Sequence, residues 1–439
     1  MVTALLLTGC SPSPQELLYT QKPAFHAFIM GDANSEHIDI ESNADVYATP
    51  ASCQKIITTL LAYKTLGNQY RYETKLYVTR KKGHIQDIVI SFSGDSTLTS
   101  KQLTKLLRPL SHSEIQGRII LDVSSFQTSP LSKNIMLDDI GTWYGQPIWA
   151  ANLDQNLITV KVKHRKEKAI VTNDAGYPMD VDIVNTLSES SFKVAWDQNT
   201  DKNIIKVKGT VKAAETFKTV RISPPNIDVY ILNKMRSILA KLHIKGTLTL
   251  VKDSSLLPST KQWVSSVTSA PLKDIIPPAL KKSDNLVFDS LYLKIINQHS
   301  TTPIQEWEAG DPIIKALLQK HFAVNMGKAL IIDGAGTSRY NRIQPRTLFE
   351  LLRKAYSLEE FVSALPTPGE PHSSLEKRKE LPASVKAKTG SMSGISCLCG
   401  YGIKGVTPKV FSIISNSFAP PLKEIYSIQD RFIKEHLKD

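Results

Sequence analysis

Between Tyr72 and about Val251 the chain is written in short alternating apolar runs, and on either side of that stretch it is not. Lys75-Leu76-Tyr77-Val78, Ile88-Val89-Ile90, Ile119-Ile120-Leu121, Leu157-Ile158-Thr159-Val160 and Ile204-Ile205-Lys206-Val207 each read as one short strand. Before them, residues 26–41 read as a strand-and-turn region. A helix pattern follows, with Thr49 as its cap and Pro50 in its first position. Its apolar residues are Ile56-Ile57 and Leu60-Leu61, and Gly67-Asn68 stops it. Helix signals return from Ser269, over 271–282, 286–296 and 312–321. Alternation resumes over 385–388, 395–401 and 409–414, and an amphipathic helix closes the chain over about 421–437. The expected architecture is therefore an α+β body split in sequence by a β-rich insertion, since surface loops tolerate insertions. The expected boundaries are 1–19 for a leader and linker, 20–80 and 251–439 for the two parts of the body, and 81–250 for the insertion. A length of 439 residues suits two to three domains.

Hydrophobic residues make up 41% and charged residues 22%, which excludes global disorder. Lys and Arg number 54 against 41 Asp and Glu, a net charge of +13. Such a surface favours anionic partners: nucleic acid, an anionic membrane or an acidic cell-wall polymer. The positive residues are dispersed, however. Arg80-Lys81-Lys82 and Lys377-Arg378-Lys379 are too short for a nucleic-acid site, so no nucleic-acid partner is expected. At the start, Leu7-Thr8-Gly9-Cys10 after a short apolar run resembles the lipobox of exported bacterial lipoproteins, which would make Cys10 the lipidated residue. No Lys or Arg precedes that run, unlike an ordinary signal segment. No later run reaches 18 apolar residues, so no membrane span is expected. The other cysteines are Cys53, Cys397 and Cys399. They form no C-x-x-C pair, and no disulfide framework, zinc site or other cofactor is expected.

Three short patterns carry chemistry. Ser52-Cys53-Gln54-Lys55 places a hydroxyl and an amine three apart at a helix start, so both lie on one face. A serine needs a base to take its proton, and a buried lysine can serve once its pKa is depressed. Ser374-Leu375-Glu376-Lys377 spells the same pattern, so spelling alone does not choose between them. Ser283-Asp284-Asn285 lies between helix signals and offers a hydroxyl to relay protons and an amide to bind a carbonyl; Ser132-Lys133-Asn134 is its rival. Lys388-Thr389-Gly390 occurs once, on a strand-like run. It supplies a charge, a hydroxyl, and a glycine against which a substrate backbone can lie.

Together and in this order, the three resemble the signature of class A β-lactamases and penicillin-binding proteins. The 231 residues from Ser52 to Ser283 are too many for a compact β-lactamase. The insertion resembles that of the D-alanyl-D-alanine carboxypeptidase/endopeptidase family, the class C low-molecular-mass penicillin-binding proteins. Ser93-Gly94-Asp95-Ser96-Thr97-Leu98-Thr99, Ser269-Ala270-Pro271-Leu272 and Asp333-Gly334-Ala335-Gly336-Thr337-Ser338-Arg339-Tyr340-Asn341 resemble further segments of that family. Thr337 stands where Leu is usual, and Pro371-His372-Ser373-Ser374-Leu375 departs from the usual D-G-[ST]-L, which also assigns Ser374 to that segment.

The resemblance implies a transpeptidase-like fold, an antiparallel sheet flanked by helices. It implies a serine DD-peptidase of the periplasm, acting on peptidoglycan stem peptides and acylated by β-lactams. Ser52 would be the nucleophile, Lys55 its base and Ser283 a proton shuttle. Asn285 would hold the substrate amide, Lys388 would tune the field, and Thr389 and Gly390 would bind substrate. The N–H groups of Ser52 and Ser391 would form the oxyanion hole. Asp139, followed by Tyr144, would meet the amino group of the diaminopimelate side chain, and Arg339 a peptide carboxylate. Two other readings are open: a binding or sensor module with negligible turnover, and a β-lactamase.

Overall fold

The computed structural model describes residues 24–165, 168–186, 189–197, 203–212, 217–403, 407–419 and 421–437; the lipobox with Cys10 lies outside them. The chain opens with β1 (Phe25–Asp32) and β2 (Ile38–Ser42), then helix α1 (Gln54–Leu61). Strands β3 (Glu73–Lys81), β4 (His84–Ser91) and β5 (Glu114–Asp122) follow. After them come β6 (Ile158–Arg165), β7 (Lys168–Asn173), β8 (Met179–Thr186), β9 (Ser191–Trp196), β10 (Ile205–Lys212), β11 (Lys218–Ile222), β12 (Lys245–Val251) and β13 (Gln262–Thr268). Helices α2 (Leu272–Lys282), α3 (Asn285–His299) and α4 (Pro345–Ala355) lead to β14 (Val385–Met392), β15 (Ile395–Gly402), β16 (Lys409–Asn416) and the closing α5 (Leu422–His436).

The body is a five-stranded sheet in the order β14-β15-β16-β1-β2. All its pairings are antiparallel, and β1 zips to β16 from Phe25↔Asn416 to Asp32↔Lys409. The two ends of the described chain thus close one sheet, leaving everything between them as an excursion. Every residue of β15 is buried, because helices cover both faces. On one face α5 packs Ile425, Phe432 and Ile433 against Phe28, Leu398 and Ile413, with the Phe28 and Phe432 rings 4.9 Å apart. The opposite face carries α1, α3 and α4 in the larger core.

A second five-stranded sheet has the order β12-β5-β4-β3-β13 and mixes parallel with antiparallel pairs. It extends on both sides of the 81–250 segment, because β3 begins at Glu73 and β13 ends at Thr268. The remaining alternating runs build two three-stranded sheets, β8-β10-β9 and β11-β6-β7. Among the described residues, no helix is long and apolar enough to cross a membrane.

The start of α1 departs from expectation. Thr49 does not cap it: the Thr49 hydroxyl accepts from Arg342 Nη1 at 2.6 Å instead. A 3-10 turn over Ala51–Cys53 comes first, and Ala51 sits at φ 44°, a left-handed conformation that L-residues disfavour. The chain is bent there by its surroundings rather than by local propensity.

The loop before β14 is tied to α5 by a buried ion pair. Arg378 Nε donates to Asp430 Oδ1 at 2.7 Å, and the guanidinium lies over the Tyr426 ring. Arg378→Ala strands a buried carboxylate and should lower stability by about 3–5 kcal/mol, read by urea unfolding. The double change Arg378→Met with Asp430→Leu should recover most of that loss.

Candidate active site

The S-D-N stretch is the junction of two helices. Ser283 ends α2 at φ 60°, ψ 43°, and the Asp284 side chain caps α3 by accepting from the Val287 N–H. Asn285 is thereby held in the first turn of α3, facing α1. There the Lys55 ammonium donates to three oxygens: Ser52 Oγ at 2.9 Å, Asn285 Oδ1 at 2.8 Å and the Ala335 carbonyl at 2.6 Å. An ammonium has three protons, so this set is complete.

The third oxygen is positioned by a carboxylate-bound loop. Asp289 Oδ1 accepts from the N–H groups of Gly334 and Ala335 at 3.0 and 2.7 Å. Asp333 accepts from the N–H groups of Gly336 and Ser338, from Thr337 Oγ1 and from Asn341 Nδ2. Gly336 is at φ +79°, and a Cβ there would lie 1.9 Å from the Ala51 carbonyl oxygen, so only glycine fits. Thr337, the departure from the family pattern, finds its own partner on Asp333. Sequence reasoning did not single out Asp289. The available signal was a lone acid in the apolar run of α3, since a buried acid needs partners.

Lys388 and Lys55 are both wholly buried. Burial lowers Lys55 from 10.5 to about 8, while Asp289, Asp333 and Asp284 pull it back up. Burial, then the Lys55 charge, lowers Lys388 to about 7. The Lys388 ammonium donates to the Thr389 carbonyl at 2.6 Å. Beneath it are the free thiols of Cys53, Cys397 and Cys399, all buried; Cys53 Sγ donates to the Lys388 carbonyl at 3.2 Å, and burial pushes its thiol pKa up.

Gly390 has a further neighbour: the Ser52 turn lies against its Cα. A Cβ there would sit 2.7 Å from the Pro50 carbonyl oxygen and 2.8 Å from the Ser52 nitrogen. The glycine lets β14 press onto the Ser52 turn.

Ser52, Asp139, Tyr144, Asn285, Arg339 and Ser391 share one cleft of about 350 Å³. Arg339 Nη1 donates to the Ser393 carbonyl at 3.0 Å, at the end of the cleft. Burial raises the Tyr144 phenol, and the Asp139 carboxylate adds to the rise. Asn285 Nδ2 donates to the Tyr144 carbonyl at 2.9 Å, so one of its two amide protons is committed to the insertion. Among the described residues lining the cleft Ser283 is absent; Thr389 is nearly buried beside it. The rivals lie elsewhere. The Ser374 amide bonds to the Lys281 carbonyl in the loop before β14, and Lys133 pairs with Glu306. A wider cavity of about 680 Å³ is lined by Asp284, but Ser52 and Asn285 line the smaller one.

The arrangement is that of an acyl-transfer site, and comparison with known proteins agrees. The profile of the D-Ala-D-Ala carboxypeptidase 3 (S13) family matches residues 18–434. The chain belongs to that family. It is 27% identical over 398 residues to D-alanyl-D-alanine carboxypeptidase DacB of Haemophilus influenzae, covering 85% of this chain and 81% of that one. It is 26% identical to a D-alanyl-D-alanine carboxypeptidase of Actinomadura, over 85% and 74% of the two chains. The crystal structure of penicillin binding protein 4 from Haemophilus influenzae superposes with a TM-score of 0.81 at 24% identity, covering 98% of this chain and 100% of that one. A predatory peptidoglycan endopeptidase from Bdellovibrio bacteriovorus has a TM-score of 0.54 at 17% identity, over 94% and 92%.

Gly390→Ala should push the Ser52 turn away from β14 and slow acylation by a labelled penicillin about 10²-fold, the size of losing one oxyanion donor. Lys388→Met tests the buried charge. The native pKa near 7 lies below the ordinary 10.5, so the unfolded chain binds the extra proton between those values and stability rises with pH across that window. Below about pH 7 the native state carries the full penalty of a buried charge. Lys388→Met should therefore raise the melting temperature more at about pH 6 than at about pH 10, read by calorimetry.

Proposed function

We propose that this protein is an exported serine DD-peptidase that removes the terminal D-Ala of peptidoglycan stem peptides or cuts the equivalent cross-link, and that penicillins acylate it. One observation carries the reading: Lys55 joins the nucleophile, the S-x-N amide and the D-G-x-G loop through three hydrogen bonds.

In this reading Ser52 Oγ attacks the carbonyl of the penultimate D-Ala as neutral Lys55 takes its proton. The oxyanion is held by the N–H groups of Ser52 and Ser391. Collapse breaks the peptide bond, and the leaving amine receives its proton through Ser283. Water, activated by Lys55, then hydrolyses the acyl-serine and restores Ser52. Lys388 and Thr389 attract and bind the terminal carboxylate. Because β14 is an edge strand, the substrate can add to it as a further strand. Asp139, beside Tyr144 on the inserted segment, takes the ammonium of a diamino-acid side chain, and Arg339 its carboxylate. Cys10 anchors the exported chain through lipid.

Labelled penicillin should attach covalently, and Ser52→Ala should abolish the adduct; labelling that survives sinks the assignment. A pentapeptide ending in D-Ala-D-Ala should release D-Ala. Absence of release would favour a sensor, and rapid penicillin turnover a β-lactamase. The acylation rate should rise from about pH 6, reach half its maximum near pH 8 where Lys55 is half neutral, and level off above about pH 9. Lys55→Arg keeps the charge but cannot surrender the proton, and should remove the rise and about 10³-fold of the rate.

A further inference from the structure

The loop that lends Tyr144 to the catalytic cleft has a second face. On it lies a separate depression of about 460 Å³, lined by Asp138, Thr142, Trp143, Lys193, Trp196 and Arg221. Asp138 and Tyr144 border both hollows, so the two flank the same loop. Trp143 is 61% exposed and Leu137 78%, although each is a large apolar side chain. Their exposure is not slack. The Thr142 hydroxyl donates to the Asp139 carbonyl at 2.6 Å, and the Gly141 and Gly145 carbonyls accept from Ser223. The Trp143 ring stands edge-on to Tyr144, with centroids 5.5 Å apart. A fixed backbone thus turns a bare indole outward beside ammonium, guanidinium, hydroxyl and carboxylate groups.

We propose that this face binds the glycan strand of the peptidoglycan whose stem peptide occupies the cleft. A pyranose ring offers an apolar C–H face that stacks on an indole, and a rim of hydroxyls and acetamido groups for the surrounding polar side chains. The substrate itself names the occupant: its peptide is covalently joined to sugar, and the depression adjoins the peptide's cleft across one loop. A lipid surface would match Trp143 and Leu137 but not a depression lined by Asp138 and Thr142. This inference rests on the peptidoglycan reading above but not on turnover.

The test measures binding without catalysis. Ser52→Ala protein is titrated with peptide-free glycan strands, alone and with Trp143→Ala or Trp143→Phe added. Trp143→Ala should weaken binding roughly tenfold, and Trp143→Phe should retain most of it, the size of one stacked ring. In parallel, Ser52 protein is given one pentapeptide with and without its disaccharide. The sugar-bearing form should be cleaved at the higher kcat/KM, and Trp143→Ala should erase that preference while leaving the bare peptide unaffected. Equal loss on both peptides, no glycan binding, or Trp143-dependent binding to anionic vesicles in place of glycan would overturn the proposal. Glycan binding with neither peptide cleaved would overturn the peptidase reading alone.

Discussion

The Lys55 ammonium has three protons, and the protein meets them with three oxygens from three distant stretches of chain. Ser52 lies one turn away, Asn285 230 residues later and the Ala335 carbonyl 280 residues later. A buried cation is tolerable only when its hydrogen-bonding capacity is filled. The requirement therefore reaches outward. Asn285 must be held by the Ser283–Asp284 turn between two helices. Ala335 must be held by Asp289 and Asp333. Ser52 must be held by the strand that crosses Gly390. The sheet that joins the two ends of the described chain is what brings these pieces to one point.

The same burial that constrains the site also activates it. Two lysines with no exposed surface sit close enough for the charge of one to lower the pKa of the other, below what burial alone would give. Native structure is disfavoured by each proton retained there, and sites of this kind trade stability for chemistry. Three carboxylates near Lys55 limit the fall to about 8. A lysine at that value is mostly charged in neutral solution yet largely neutral one pH unit above it. The three thiols beneath Lys388 supply bulk without competing acceptors, since a thiol is a weak hydrogen-bonding partner.

Much of this was legible in the sequence, for physical reasons. The split between helical and alternating texture follows from periodicity, and it pointed to a mixed α and β chain with a strand-rich middle. The S-x-x-K pair was legible because three residues make one helical turn. Its rival at Ser374 could be separated only by company, through the other motifs. Less legible was anything set by tertiary approach. The left-handed Ala51 has no local signature, because the conformation is imposed by the strand and loop packed on it. The contact of Gly390 with the Ser52 turn was hidden for the same reason: a glycine announces close approach but not what approaches. Asp289 was hidden in an apolar helix, where its partners are backbone groups 45 and 46 residues away.

Asn285 shows why the insertion belongs to the machinery rather than to the surface. A primary amide has an acceptor end and a donor end, and here they face different parts of the chain. The oxygen takes a proton from Lys55 in the body, and the nitrogen gives one to the Tyr144 carbonyl in the excursion. An aspartate could not donate, and a lysine could not accept. The amide therefore links the Asp139–Tyr144 loop to the Lys55 amine. One amide proton remains, on a side chain oriented from both sides.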